Sequence, residues 1–90
     1  MTWFVLSDDV LVQEVDDELV VLNLATEQYF ALNLTARTLF DWCRQSGSAR
    51  EVVLRMVDEY AIDEATARVD LETFLAGLVK RGLSKIASSS

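Results

Sequence analysis

The chain predicts an α+β fold with the shape of a winged helix-turn-helix: a three-stranded antiparallel N-terminal sheet followed by three helices. Three observations carry this. Residues 10–32 hold three short apolar runs whose connections are too short for crossovers, so they form a meander. Residues 33–82 hold three helix-length segments with recognisable start signals. There is no proline, so no strand or helix is interrupted by a missing backbone donor.

The first strand, Val10 to Val15, alternates weakly. Asp16-Asp17 is its hairpin turn, because aspartate tolerates turn geometry. Glu18 to Leu24, rich in leucine and valine, returns as the second strand. Ala25-Thr26-Glu27 turns the chain again into the third strand, Gln28 to Leu32. Asn33 caps a first helix over Leu34 to Gln45, with Ala36, Leu39, Phe40 and Cys43 on one face. Ser46-Gly47 stops it. Ser48-Ala49-Arg50-Glu51 is a capping box that opens a second helix, whose apolar side is Val52, Val53, Met56, Val57 and Tyr60. Asp63 caps the third helix, and Glu64 suits the positive end of its dipole. That helix runs to about Arg81, its inner stripe is Leu71, Phe74, Leu75 and Leu78, and Gly82 fits the residue just past its end. Leu83 to Ala87 is a candidate short extended return. Residues 1–87 are expected to form one domain, with a disordered tail at 88–90.

Composition narrows function mainly by exclusion. The net charge is −7 and the pI near 4.3, which disfavours nucleic acid and anionic membranes, since both call for clustered lysine and arginine. The stretch corresponding to a DNA-reading helix carries Asp63, Glu64, Asp70 and Glu72 against Arg68, which phosphates would repel. With no histidine and one cysteine, the usual general base and the usual zinc sites are missing. Cys43 reads as a buried core thiol. No glycine-rich phosphate loop is present. An enzyme and a cofactor are therefore not expected. Trp3-Phe4-Val5-Leu6 lacks a basic flank and is followed by Asp8-Asp9, so it is neither a signal peptide nor a membrane span. The single cysteine suits a reducing cytoplasm.

The third strand is the most informative segment. Gln28-Tyr29-Phe30-Ala31-Leu32 carries no internal charge and no proline. At a sheet edge it would offer unpaired backbone groups and apolar side chains to another chain. Alternation puts Phe30 and Leu32 toward the core or a groove and Tyr29 on the outer face. Beside the inner stripe of the third helix lies a flank carrying Arg68, Val69, Glu72, Thr73 and Ala76. On that flank Val69 and Ala76 would give small apolar footing. Glu72 and Asp70 would pair with a basic ligand side chain and Arg68 with an acidic one, and the acidic tilt favours a ligand carrying lysine.

Asp16-Asp17-Glu18-Leu19-Val20-Val21-Leu22-Asn23, then Thr26-Glu27-Gln28-Tyr29-Phe30-Ala31-Leu32-Asn33, Thr35-Ala36 and Leu39-Phe40 resemble the PqqD-like family of RiPP recognition elements, which serve ribosomally made and later modified peptides. The likeness extends to Phe74-Leu75-Ala76-Gly77-Leu78-Val79-Lys80-Arg81-Gly82-Leu83, covering about Val10 to Leu83. Its most specific part is the Tyr-Phe-x-Leu-Asn segment. Family members often have glycine where this chain has Glu18 and Glu27, which touches the turns rather than the edge.

The resemblance implies a non-catalytic protein that binds the leader of a precursor peptide as an added antiparallel strand on the third strand, against the third helix. On that footing the peptide-binding residues are Glu27, Gln28, Tyr29, Phe30, Ala31 and Leu32 with Arg68, Val69, Glu72, Thr73 and Ala76. The implied partners are the precursor leader peptide, a transglutaminase-like leader peptidase and, as a second candidate, an ATP-dependent cyclase. The short chain favours the stand-alone lasso-peptide type. The alternatives left open are a PQQ-type precursor-peptide chaperone, a DNA-binding winged helix and a carrier-like scaffold.

Overall fold

The computed structural model describes residues 3–85. In chain order it has β1 (Val10–Val15), β2 (Glu18–Asn23), β3 (Gln28–Leu32), α1 (Leu34–Gln45), α2 (Ala49–Tyr60) and α3 (Glu64–Lys80). The sheet is antiparallel in the order β1-β2-β3, so β3 lies at an edge. The expected tail at 88–90, and residues 86 and 87 of the expected return segment, lie outside the described residues.

The turns follow from local chemistry. Asp16 closes the β1–β2 hairpin with φ of 56°, the left-handed region that two-residue hairpin loops need and aspartate tolerates. β2 stops at Asn23, one residue short of the expected Leu24. The cause is the Asn23 side chain, whose Oδ1 accepts from the backbone N–H groups of Ala25 (3.0 Å) and Thr26 (3.3 Å) and turns the chain away from the ladder. Glu27 then re-enters the sheet at φ 59°. Glu18, by contrast, is ordinary strand, so only the second of the two glycine-for-glutamate departures falls where this backbone would favour glycine.

Each helix begins on the expected cap. Asn33 Oδ1 accepts from the N–H of Ala36, Ser48 Oγ from Glu51 and Asp63 Oδ1 from Thr66. The capping box at Ser48 is displaced by one residue, because the Glu51 carboxylate accepts the N–H of Gly47 at 2.6 Å. At the end of α3 the N–H of Gly82 bonds the carbonyl of Val79 and that of Leu83 bonds Leu78, while Gly82 has φ of 72°. This paired pattern stops the helix and satisfies two of its last carbonyls.

The core lies between the inner sheet face and the helices. Leu19 and Val21 meet Leu39, Phe40, Cys43, Val52, Met56, Leu71, Leu75 and Leu78. Two anchors have no counterpart in the sequence reading. Trp3 and Phe4 are buried; the Trp3 indole donates to the Ser46 carbonyl at 3.0 Å, and Phe4 meets Phe40 edge to face. The chain then pairs with the segment after α3: the Ser7 N–H bonds the Leu83 carbonyl, and the Lys85 N–H bonds the Val5 carbonyl. The expected return segment is therefore real as far as Lys85, and its partner is the N-terminal segment. Arg37 of α1 ties the first hairpin down, donating to the Asp17 carbonyl at 2.9 Å and pairing with Glu14.

Candidate functional site

The edge of β3 is open, and its backbone polarity follows from the register. Val15 and Glu18 flank a two-residue loop, so they form the closing hydrogen-bonded pair. Alternation then turns the backbone groups of Val20 and Leu22 toward β1, in keeping with the next bond of the series, Leu24 N–H to Asp9 carbonyl at 2.8 Å. Leu19, Val21 and Asn23 consequently bond β3 through Leu32, Phe30 and Gln28. That leaves the N–H and carbonyl of Tyr29 and Ala31 pointing away from β2, along the free edge.

The side chains split as alternation requires. Phe30 and Leu32 are half-buried and pack on the core, whereas Tyr29 is 71% exposed on the outer face. Glu27 and Gln28 lead into the strand and are exposed.

α3 packs on α2 rather than on β3, so strand and helix diverge. Between them runs a cleft of about 440 Å³, within the usual range for ligand sites of roughly 300–1,000 Å³. Tyr29, Phe30, Ala31 and Leu32 make one wall. Thr73, Phe74, Gly77, Leu78 and Arg81 make the other, with Asn33, Ala36 and Leu83 completing the lining. A second depression of about 510 Å³ opens beyond Thr73 and Phe74, which border both; Leu39, Met56, Tyr60, Ile62 and Asp70 help to line it.

The α3 wall differs from the flank expected from the sequence. Of that set only Thr73 lines the cleft. Arg68, Val69, Glu72 and Ala76 are exposed on the opposite flank of the helix, and Arg68 pairs there with Glu64 at 3.3 Å. Both flanks border the buried stripe of Ala67, Leu71, Leu75 and Leu78. An amphipathic pattern shows which face is buried but not on which side of it a strand arrives. The sequence reading consequently missed Phe74, Gly77 and Arg81 as cleft residues. The one available signal was Gly77, a glycine inside a helix and so a place where something approaches closely.

The charge of the cleft is also reversed from expectation. Its single charged lining residue among those described is Arg81, whose guanidinium carbon lies 5.4 Å from the centre of the Phe30 ring. A Cβ built on Gly77 would come within 3.3 Å of Arg81 Nη1, so the guanidinium lies close over the Gly77 backbone.

Burial pushes the Cys43 thiol up to about 12, so it is protonated and inert. No cluster of three or more metal-binding side chains occurs among the described residues. No helix among them is long and apolar enough to cross a membrane.

Residues 18–83 match the family described as coenzyme PQQ synthesis protein D (PqqD). No curated protein matches the chain. Among solved structures, a lasso peptide synthetase B1 complexed with the leader peptide superposes with a TM-score of 0.85 at 23% identity, covering 92% of this chain and 98% of that one. TbiB1 in complex with the TbiA(beta) leader peptide superposes with a TM-score of 0.77 at 32% identity, covering 88% of this chain and 93% of that one.

Proposed function

The chain belongs to the PqqD family, described as coenzyme PQQ synthesis protein D, and from that premise we propose that it is a non-catalytic binding protein for the leader segment of a ribosomally made precursor peptide in lasso-peptide biosynthesis. The observation that carries this is the free edge of β3 beside an apolar cleft. The N–H and carbonyl groups of Tyr29 and Ala31 await a strand, and Phe30, Leu32, Phe74 and Leu78 provide footing for the side chains of that strand. The similar chain of TbiB1 was solved with a leader peptide, which supports the same ligand class here.

Strand addition alone is weak. Each backbone hydrogen bond contributes about 1 kcal/mol net, while ordering a flexible leader costs roughly 2–5 kcal/mol. Apolar side chains entering the cleft must supply the remaining affinity. The bound leader would then be presented to a transglutaminase-like leader peptidase, with an ATP-dependent cyclase as second candidate partner, in the cytoplasm.

The test is fluorescence polarisation of a labelled leader peptide, taken from the precursor encoded beside this gene and titrated with the protein. Saturable binding near or below micromolar supports the reading. Failure to bind a leader that its own pathway enzymes process would overturn it and direct the search to other partners of the edge.

A further inference from the structure

We propose that Arg81 is a specificity-determining residue of the cleft, and that the segment bound there sets an aspartate or glutamate side chain against its guanidinium. This rests on the leader-binding reading and gives that ligand a charge.

Among the described residues Arg81 is the one charged group lining the cleft, in a chain that is otherwise strongly acidic, with 15 acidic against 8 basic residues. Its backbone is anchored where α3 ends. Its backbone N–H bonds the Gly77 carbonyl at 3.1 Å, and the next residue, Gly82, is held in the left-handed region with its carbonyl bonded by Asn23. The guanidinium rests on the Phe30 ring and over the bare Gly77 backbone. Stacking uses the flat face of a guanidinium and leaves its in-plane N–H donors free for a carboxylate, which they can grip in parallel pairs. Among the described residues no carboxylate pairs with Arg81; Arg44 over Phe40 and Arg55 over Trp42 are likewise stacked without one, but of the three only Arg81 lines the cleft. In a strand added to β3, the residue opposite Phe30 projects to the same face as Phe30 and so toward Arg81. The carboxylate belongs at that register.

A binding cycle tests this. The labelled leader from the neighbouring precursor gene is prepared with each Asp changed to Asn and each Glu to Gln in turn, and each version is titrated against the unaltered protein and Arg81→Gln. One amide substitution is expected to weaken binding by about tenfold or more to the unaltered protein. The same substitution should cost Arg81→Gln almost nothing further. Arg81→Glu should lose binding and recover it when that same leader residue is made lysine, a rescue that a purely structural arginine would not show. Independent, additive effects throughout, or normal affinity for a leader without carboxylates, would overturn the charge assignment. If Ala31→Pro abolishes binding while Arg81→Gln leaves it unchanged, only the assignment to Arg81 falls. If the unaltered protein binds no leader, the recognition reading falls and this inference falls with it.

Discussion

The side-chain amide of Asn23 donates to the carbonyl of Gly82 at 3.0 Å, joining the β2–β3 turn to the end of α3 across 59 residues of sequence. Asn23 is buried, and its Oδ1 shapes the turn that launches the edge strand. This contact therefore sets the spacing of the two cleft walls at one end. Gly82 has no freedom to change. It sits at φ 72°, and an added Cβ would lie 2.8 Å from Asn23 Nδ2. Gly82→Ala is expected to cost about 1–3 kcal/mol from backbone strain, with further loss from displacing Asn23. Urea unfolding checks it: the midpoint should fall while the slope stays unchanged.

Acid should loosen α3 from its beginning. The side-chain and backbone hydrogen bonds with Thr66 hold the Asp63 carboxyl below its ordinary 3.8. A group with a lowered folded value binds its proton less readily than in the unfolded chain. Its contribution is complete above the ordinary carboxylate range and lost as pH falls through the lowered folded value. Asp63→Asn keeps a capping oxygen but removes the titration. The difference in stability between the two proteins should accordingly shrink on acidification, read from thermal melts over a pH series. A constant difference would dissociate the cap from the pH dependence.

Cys43 should resist thiol reagents while the protein is folded. It is 1% exposed, and burial raises its thiol from 9.0 to about 12. The reactive thiolate is therefore scarce at neutral pH, and the sulfur is covered as well. Labelling by an aromatic disulfide reagent should be slow in buffer and prompt in denaturant. The sign for stability follows: the contribution of the buried neutral thiol is complete below about pH 9 and declines as pH rises toward the folded value.

The parts of the fold that were legible in the sequence are those with local causes. Asn33, Ser48 and Asp63 each cap the helix they announce, and β1 and β3 end where alternation ends. The open edge was legible too, because an uncharged strand without proline carries its own signature. The placement of Trp3 and Phe4 was not, since their partners are Ser46 and Phe40, far along the chain, and no short-range pattern encodes that pairing. The cleft wall was only half legible. The stripe ending in Leu78 shows that α3 is buried on one side, but whether β3 lies along Gly77 and Arg81 or along Glu72 and Ala76 is decided by how α3 packs on α2. Left-handed Glu27 is a related case: the turn was evident, the strained residue within it was not.

The sharpest test of strand addition is one backbone atom. The N–H of Ala31 points along the free edge, while the groups of Phe30 bond Val21 in β2. Ala31→Pro removes an outward donor and leaves the β2–β3 ladder intact, a substitution that edge strands tolerate. Phe30→Pro would remove a ladder donor and is expected to destabilise the sheet. Ala31→Pro should keep its far-ultraviolet dichroism and most of its urea resistance. Its affinity for the labelled leader should fall by at least about tenfold, since one hydrogen bond is lost and the peptide carbonyl that it served is stranded in the complex. Folded Ala31→Pro and Tyr29→Pro proteins that both bind as tightly as the unaltered chain would show that the leader is held by the cleft side chains alone. The open edge would then be free for another strand.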